Sequence, residues 1–386
     1  MSINFFGDFC QEGRTKQFSC SDFEHSWSSL MPLIKTSDYN IVNLECSPDV
    51  HRGKQITKVG PHLSCSRDAL LALKESGFHC LALANNHFAD FGPDSVIDSI
   101  RLIDSMGFDH VGAGDNLTNA GKPLIVSLQG KRIAIINCCE HEFTLANEKK
   151  AGCNPIDPIN QSESIRNASN YADYVFVYVH GGNEHYNLPT PRMLKIYRFF
   201  IDCGADLVVN CHQHLFSGYE YYQGKPIVYG LGNFFFDIPE RINMPWNYGY
   251  VLHVSIIDKL AIELIPYKQC NGEPTISLLN VDEQKVFQKQ ISDINSLIQS
   301  PQELHHAYDK LVSDNALGYL YPLSRQMKQT YLTRKWKHLK HIVTNDKDPL
   351  HKGLTEEQQL LLYSYTHCES HRDIFVSILA KLLQFD

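Results

Sequence analysis

The chain lacks the features that mark a membrane-spanning or nucleic-acid-binding protein. Its sequence contains no stretch of about 18 uninterrupted apolar residues, so it predicts no transmembrane helix. Lysine and arginine form no run, and the net charge is −8 with histidine neutral, whereas a phosphate backbone is bound by clustered cations. The start of the chain has no basic segment and no long apolar run, so we interpret it as a first strand rather than a signal peptide.

The twelve cysteines include no Cys-x-x-Cys pair, and several lie within apolar segments, where free cysteine behaves as a small hydrophobic residue. We therefore expect reduced, mostly structural cysteines and a cytoplasmic protein. Histidine departs most from an average composition, with 19 copies. Several of these histidines cluster where predicted strands end.

Through about residue 215, short apolar segments alternate with amphipathic segments whose apolar residues recur at helical spacing. This alternation is typical of an α/β sheet with helices on both faces. Pro93 and Pro191 lie at predicted helix starts, and Gly77, Gly107 and Gly204 follow predicted helix ends. The predicted strands are Ile3–Phe6, Ile41–Leu44, Cys80–Ala84, Ile133–Asn137, Val175–Val179 and Leu207–Val209, and the predicted helices are Arg67–Ser76, Asp94–Met106 and Arg192–Cys203.

A hairpin interrupts this alternation, and consecutive strands follow it. The turn Gln129-Gly130-Lys131 joins Pro123–Leu128 to Arg132–Asn137. The later strands are expected to form or extend a second sheet. Since the chain exceeds the usual size of one core, we expect one domain over residues 1–270 and a mainly helical extension over residues 271–386. The later predicted strands are Tyr219–Tyr222, Ile227–Tyr229, Tyr250–Ile256 and Leu260–Ile265, and the predicted helices of the extension are Val281–Ile298, Glu303–Leu311 and Thr355–Phe385.

Polar side chains follow five of the predicted strands, at the point where each strand ends. Because the carboxyl ends of parallel strands face one crevice, we expect these side chains to converge there. Carboxylate oxygens and imidazole nitrogens suit zinc, manganese or iron, with three or four ligands for each ion. The sequence therefore predicts a metal centre shared by several strands. The residues concerned are Asp8, Glu45, Asn85, Asn86, His87, His180, His212 and His214.

Each of these residues alone also has a structural explanation. An aspartate after a strand often caps a turn or helix, and an Asn-Asn pair suits a turn because asparagine tolerates the left-handed conformation. A single His180 is more often a hydrogen-bonded core residue. His212-x-His214 places two side chains on one face of an extended segment, which suits chelation but also occurs by chance. The occurrence of all five clusters at strand ends favours the metal centre.

At these positions the sequence resembles the capsule-synthesis CapA family of the calcineurin-like metallophosphoesterase superfamily. The resemblance runs in order through about residues 2–240. It implies a four-layer α/β/β/α sandwich of two mixed sheets, with a dinuclear metal centre at the strand ends. The matching segments are Asn43-Leu44-Glu45, Ala84-Asn85-Asn86-His87 with Asp90 and Gly92, Gly112-Ala113-Gly114, His180-Gly181-Gly182-Asn183-Glu184, Gly204-Ala205-Asp206, His212-x-His214 and Tyr229-Gly230-Leu231-Gly232-Asn233-Phe234.

The resemblance implies a role for each site residue. Glu45 stands where the superfamily has a bridging aspartate, and His87 matches the catalytic histidine that protonates the leaving oxygen or balances developing charge. Asp90 would orient His87, although stabilisation of a helix N-terminus explains Asp90 equally well. Paired ions would activate water and stabilise the entering and leaving oxygens. The implied ligands of one or two divalent ions (Mn, Zn or Fe) are Asp8, Glu45, Asn86, His180, His212 and His214.

Two positions depart from the superfamily pattern. The usual Asp-x-His is Asp8-Phe9-Cys10 here, so one ion loses an imidazole unless Cys10 substitutes as a thiolate. Glutamate at position 45 replaces the bridging aspartate and changes its reach. We therefore expect a weakly bound first ion or a site that works with one metal. The segment Lys58-x-Gly60-Pro61 also resembles a family segment near the crevice, although a Gly-Pro turn explains it as well.

Two functions of different classes follow from these patterns. The first is a metal-dependent hydrolase of capsule or other cell-surface polymer metabolism, acting on a phosphoester or an amide of a small or polymeric anionic substrate such as a polysaccharide or poly-γ-glutamate. The second is a non-catalytic metal-binding assembly factor of a polymer-synthesis system. The missing imidazole favours the second function, and the retained Asn86-His87 pair favours the first. The extension is a candidate for binding polymer-synthesis proteins or a second copy of the chain.

Overall fold

The computed structural model describes residues 1–48, 53–319 and 356–383. The chain forms two compact units, Met1–Leu304 and His305–Asp386. The domain boundary that we predict at residue 270 stays a prediction.

Two mixed sheets make up most of the first unit. The first sheet has the order β16-β15-β14-β1-β2-β3-β4, with β13 also paired to β1, and the second has the order β11-β12-β10-β9-β7-β6. The first contains β1 (Ser2–Cys10), β2 (Tyr39–Leu44), β3 (Cys80–Ala82), β4 (Asp109–Val111), β13 (Asn233–Phe236), β14 (Tyr248–Ile256), β15 (Leu260–Gln269) and β16 (Ile276–Leu278). The second contains β6 (Leu124–Leu128), β7 (Lys131–Cys139), β9 (Tyr174–His180), β10 (Leu207–Cys211), β11 (Tyr219–Tyr222) and β12 (Lys225–Val228), and a short pair is formed by β5 (Ala113–Gly114) and β8 (Gly152–Cys153).

The helices begin and end where the sequence supplies caps. Helix α3 has the bounds predicted for it: Ser66 accepts a hydrogen bond from the Ala69 amide at its start, and Gly77 ends it at a φ of 107° that favours glycine. Thr190 caps α7, with Pro191 as its first residue. The helices are α1 (Cys20–Ser26), α2 (Met31–Thr36), α3 (Arg67–Ser76), α4 (Gly92–Ser105), α5 (Leu117–Ala120), α6 (Pro158–Ser169), α7 (Pro191–Asp202), α8 (Val281–Gln299), α9 (residues 301–319), α10 (Glu356–His367) and α11 (Glu369–Leu383).

The two sheets pack face to face through the central strands β1 and β9. The ring of Phe5 lies 6.1 Å from Phe176 and 5.6 Å from Tyr178. The Tyr178 hydroxyl donates to the Phe6 carbonyl across the interface, at 2.5 Å. Buried side chains of α1, α3 and α4 cover the other face of the first sheet, and α6 and α7 cover the other face of the second. The predicted four-layer α/β/β/α sandwich is therefore confirmed.

The late strands differ in part from their prediction. Tyr219–Tyr222 and Lys225–Val228 do extend the second sheet. Tyr248–Ile256 and Leu260–Gln269 instead extend the first, because β14 pairs antiparallel with β1 and β15 pairs with β14. Alternating apolar residues predict a strand but not its partner.

The C-terminal extension is helical where it is described, apart from β16 (Ile276–Leu278), which pairs with β15 in the first sheet. Helix α8 confirms the prediction for Val281–Ile298, and the prediction for Glu303–Leu311 falls within α9. The single predicted helix Thr355–Phe385 is two helices, α10 and α11, and its first residue and last two residues lie outside the described part. In the described part of the second unit, α9, α10 and α11 share a small buried cluster: Tyr308, Val312, Tyr319, Tyr365, Ile374 and Ile378. No helix among the described residues is long and apolar enough to cross a bilayer.

Candidate metal centre

The carboxyl ends of the parallel strands of both sheets meet at one crevice, as the sequence predicts. Asp8 lies in β1, Glu45 directly follows β2, and His180 is the last residue of β9. The loops after β3 and β10 supply the other ligand-type side chains. The structure thus brings together all six residues proposed as ligands, and all are buried: Asp8, Glu45, Asn86, His180, His212 and His214. Their role as ligands stays a prediction.

One half of the cluster is built from Asn86, His180 and His212. The His180 Nε2 atom lies 3.0 Å from Asn86 Oδ1 and 2.9 Å from His212 Nδ1. The same Nε2 atom lies 3.5 Å from Glu45 Oε1. Two imidazole nitrogens and two side-chain oxygens therefore converge, which is a donor set typical of zinc, manganese or iron.

The other half is built around Asp8 and His214. The His214 Nδ1 atom lies 3.5 Å from Asp8 Oδ2 and 3.9 Å from Glu45 Oε2. Glu45 thus directs one carboxylate oxygen toward each half. Asn43 holds the Asp8 carboxylate from behind, because its Nδ2 donates to Asp8 Oδ1 at 2.8 Å. We call the two groups the Asn86 half-site and the Asp8 half-site.

Glu45 is the residue that most clearly calls for a cation. Its side chain is fully buried, and neither carboxylate oxygen has a hydrogen-bond partner. A buried carboxylate without partners is strongly unfavourable unless a positive charge lies beside it. The donor set and this orphaned carboxylate together fit one or two divalent ions held between the half-sites.

The pKa values of the neighbouring groups reflect the same concentration of negative charge. Burial raises the pKa of Asp8. Hydrogen bonds and charge from His180 and His214 outweigh this effect and hold the pKa well below its usual value. Burial lowers the pKa of His214, but Glu45 and Asp8 outweigh that effect and raise it to about 9. His212 differs, since burial and the charge of His180 lower its pKa to about 3.

His212 and His214 do not lie on an extended segment, contrary to the expectation for His-x-His. They follow β10 in a turn, and both have positive φ angles, 96° and 59°. Residues other than glycine adopt this conformation at a cost of about 1–3 kcal/mol, and such strain concentrates at functional sites. The turn also lets the His212 amide donate to Asp8 Oδ2 at 3.1 Å, which ties the loop to β1.

The sequence allows two explanations for the Asn85-Asn86 pair, a turn and a metal ligand, and the structure fits one residue to each. Asn85 forms the turn: its Oδ1 accepts from the amides of His87 and Phe88 at 3.0 and 2.8 Å. Asn86 instead directs its Oδ1 at His180. The turn is anchored to the second sheet by Asn137, whose Oδ1 accepts from the Ala84 amide at 2.7 Å.

His87 lies beside Asp90 and Lys58 at the edge of the cluster. Its Nδ1 is 2.8 Å from Asp90 Oδ2, so the structure brings together the pair that is expected from the sequence. Lys58 contacts both, with its Nζ 3.1 Å from His87 Nδ1 and in an ion pair with Asp90. The Leu63 amide also donates to Asp90 Oδ2, at 2.8 Å. Lys58 is thus more than a neighbour of a Gly-Pro turn, since its side chain is 3% exposed and directed at His87.

Cys10 does not replace the missing imidazole. It belongs to the hydrophobic core, and burial together with a hydrogen bond to Cys46 raises the pKa of its thiol well above the usual value. The pairing of β1 with β13 is irregular beside Cys10, because the register shifts between Asp8 and Phe9, where β13 contributes one extra residue. The thiol beside the cluster is Cys211, with its Sγ 3.3 Å from His180 Nδ1. Burial raises the pKa of Cys211 as well, which favours a neutral thiol.

Two glutamates beside the cluster are absent from the sequence-based list of ligands. Glu142 Oε1 lies 3.8 Å from His212 Nε2, and burial and the charge of Glu184 raise the Glu142 pKa to about 8. Desolvation raises the pKa of Glu184. The charges of His214, His212 and other histidines outweigh this effect and lower the pKa to about 2. The sequence could have pointed to Glu184, because this residue ends the matching segment His180–Glu184. It could not have pointed to Glu142, which lies in no matching segment.

The fold is the four-layer α/β/β/α sandwich that the resemblance implies, and the candidate ligands lie at the carboxyl ends of its strands. Residues 2–238 match the family described as bacterial capsule synthesis protein PGA_cap, and the chain belongs to this family. The resemblance stated from the sequence is therefore confirmed.

The chain is also similar to individual proteins over part of its length. The chain is 31% identical to the capsule biosynthesis protein CapA of Bacillus anthracis over 222 residues, which are 55% of this chain and 54% of that protein. It is 32% identical to the PGA biosynthesis protein CapA of Bacillus subtilis (strain 168) over 209 residues, 53% of this chain and 55% of that protein. The chain thus spans about half the length of these curated relatives. A hypothetical protein from Thermus thermophilus superposes with a TM-score of 0.46 at 14% identity, covering 69% of this chain and 99% of that one.

Proposed function

We propose that the chain is a metal-dependent hydrolase that acts on an anionic substrate in the metabolism of a capsule or another cell-surface polymer. The observation that carries the proposal is Glu45, a buried carboxylate whose two unpartnered oxygens face two groups of metal-type ligands. The names of the relatives, which concern capsule and PGA biosynthesis, support the polymer class. The twelve cysteines are free thiols, which supports a reducing compartment such as the cytoplasm.

Each part of the site has a task in such a hydrolysis. Asn86, His180 and His212 would hold one ion, Asp8 and His214 the other, and Glu45 both. Divalent ions at these positions supply the positive charge that activates water and stabilises anionic oxygens. His87 is the proton donor for the leaving oxygen. Asp90 and Lys58 fix the imidazole of His87 through its Nδ1 and so leave Nε2 directed away from them.

A non-catalytic assembly factor remains the second candidate, and the Asp8 half-site favours it. That half-site lacks the imidazole of Asp-x-His, and Cys10 does not supply a substitute. The arrangement of His87 with Asp90 and Lys58 favours catalysis instead, because a structural metal site has no use for an oriented histidine beside its ligands.

Chelation tests the proposal directly. We expect the chain to hydrolyse either an aryl phosphodiester or a γ-glutamyl peptide, to lose that activity after dialysis against EDTA, and to regain it with Mn²⁺ or Zn²⁺. The measurement is the initial rate on both substrates before and after each step. Metal bound in full without turnover of either substrate would support the assembly factor.

Arg241 is the side chain placed to recognise the anionic part of the substrate. Its guanidinium carbon lies 4.0 Å above the ring of Trp246, which in turn packs 4.5 Å from the ring of His214. Partial burial lowers the Arg241 pKa and the charge of Glu184 opposes this, but arginine stays protonated. The side-chain interactions of Arg241 are with the ring of Trp246 and the charge of Glu184, and its planar donors suit a carboxylate or phosphate.

Replacing Arg241 with alanine should raise KM for the anionic substrate about tenfold or more and leave kcat nearly unchanged, since a hydrogen bond to a charged group contributes about 1.5–3 kcal/mol. The measurement is a steady-state comparison of an anionic substrate with its uncharged ester. Arg132→Ala is the matched control, because Arg132 is exposed near the amino end of β7. An equal loss for both substrates would argue against charge recognition by Arg241.

A further inference from the structure

The Asp8 half-site has a fourth ligand-type atom that neither the sequence pattern nor the resemblance assigns. Asn233 begins β13, the strand that pairs in parallel with β1, and its register partner is Asp8. Parallel partners present their side chains on the same face of a sheet. Asn233 is fully buried, and its Oδ1 lies 2.9 Å from His214 Nδ1. That nitrogen is the same atom that approaches Asp8 Oδ2 and Glu45 Oε2.

The hydrogen bonds of Asn233 fix which end of its amide faces the half-site. Its Nδ2 donates to the carbonyls of His214 and Trp246 at 3.4 and 3.3 Å. The amide is therefore oriented with Nδ2 toward two backbone acceptors and Oδ1 toward His214 Nδ1. Three side-chain oxygens, those of Asn233, Asp8 and Glu45, lie around His214 Nδ1. This nitrogen carries at most one proton, so it cannot donate a hydrogen bond to each of them. A cation satisfies such a group of acceptors better than a proton does.

We propose that Asn233 Oδ1 is a direct ligand of the ion in the Asp8 half-site and takes the place of the imidazole missing from Asp8-Phe9-Cys10. This inference rests on the metal centre of the proposed function. With Asn233 the half-site has four ligands, Asp8, Glu45, His214 and Asn233, which is the number that a tetrahedral zinc site needs. The replacement of nitrogen by an amide oxygen makes this half-site harder than the Asn86 half-site and shifts its preference toward Mn²⁺.

Metal binding by variants of the whole chain tests the inference without any measurement of turnover. The metal-free wild type, titrated with Mn²⁺ in a calorimeter, should bind two ions. Asn233→Leu, close in size but without a ligand atom, should bind the weaker of the two at least about tenfold less tightly and keep the stronger one. Asn233→Asp retains an oxygen at the same position and should bind both. Cys10→Ser is the matched control on the neighbouring strand and should bind both ions with wild-type affinity.

A second readout separates a ligand from a residue that only orients His214. In the cobalt-substituted protein, loss of an oxygen ligand changes the visible absorption of the Co²⁺ ion in this half-site, whereas a change in hydrogen bonding alone leaves that spectrum in place. We expect the absorption of the Co²⁺ ion in this half-site to be altered or absent in Asn233→Leu and to be retained in Asn233→Asp, with circular dichroism establishing that both variants fold.

Other results of the metal titrations would contradict either the role of Asn233 or the proposed function. Two ions in Asn233→Leu with wild-type affinity and spectrum would remove Asn233 from the ligands. Loss of an ion in Cys10→Ser would assign the fourth position to the thiol. A wild type that binds a single ion would overturn the inference and leave a one-metal form of the proposed function. A wild type that binds no ion would overturn the proposed function itself.

Discussion

Replacing His87 with alanine should lower the rate of hydrolysis by about 10²–10⁴-fold and leave the bound ions in place, because a positioned proton donor contributes a factor of that order. His87 lies at the edge of the cluster, and its Nδ1 is occupied by Asp90 and Lys58. It is therefore held in one orientation by groups outside the ligand set. The measurement is kcat on the substrate identified by the chelation experiment, together with the number of ions per chain.

The control for this variant is His306→Ala, which removes an exposed histidine from α9. It should change neither kcat nor the metal content. If His87→Ala retains full activity, the proton comes from another group, of which Glu142 is the nearest candidate by its raised pKa of about 8. If both the wild type and His87→Ala are inactive while metal is bound, the assembly factor becomes the better description.

The strand ends could be predicted from the sequence because their signals are local. A β-branched or aromatic segment followed at once by a polar residue, as at Ile41–Leu44 and Glu45, specifies both the strand and the position of its side chain. The parallel order of the strands then follows from the alternation with helices. The convergence of six residues on one crevice could therefore be predicted without any distance between them.

The remaining parts of the site depend on contacts between distant segments. Lys58 reaches His87 from a loop, and Asn233 reaches His214 from a strand that pairs with β1 across more than 200 residues of chain. Both residues lie in segments of the resemblance, but the pattern assigns neither of them a role at the site. Cys10 shows the opposite failure: its place in the Asp-x-His pattern suggests a ligand, but its side chain is buried in the hydrophobic core beside Cys46.

The second large effect is expected at Glu45, where glutamine should abolish the binding of both ions rather than one. Each carboxylate oxygen faces a different half-site, at 3.5 Å from His180 Nε2 and 3.9 Å from His214 Nδ1. Glutamine keeps the size of the side chain but removes its charge and presents an NH₂ group to one of the two ions. We expect affinities lower by on the order of 100-fold or more at both positions, and with them the loss of hydrolysis. The measurement is the metal content after dialysis against a fixed concentration of Mn²⁺.

The matched control is Glu263→Gln, which makes the same change at an exposed position on β15 and should leave the metal content at the wild-type value. The pattern across variants distinguishes Glu45 from its neighbours, since Asn233→Leu should lose one ion, His87→Ala none and Glu45→Gln both. A Glu45→Gln protein that keeps one ion would show that the carboxylate serves a single half-site. The site would then contain two independent ions rather than a pair joined by one buried carboxylate, and the orphaned oxygen on the other side would need a different cation to balance it.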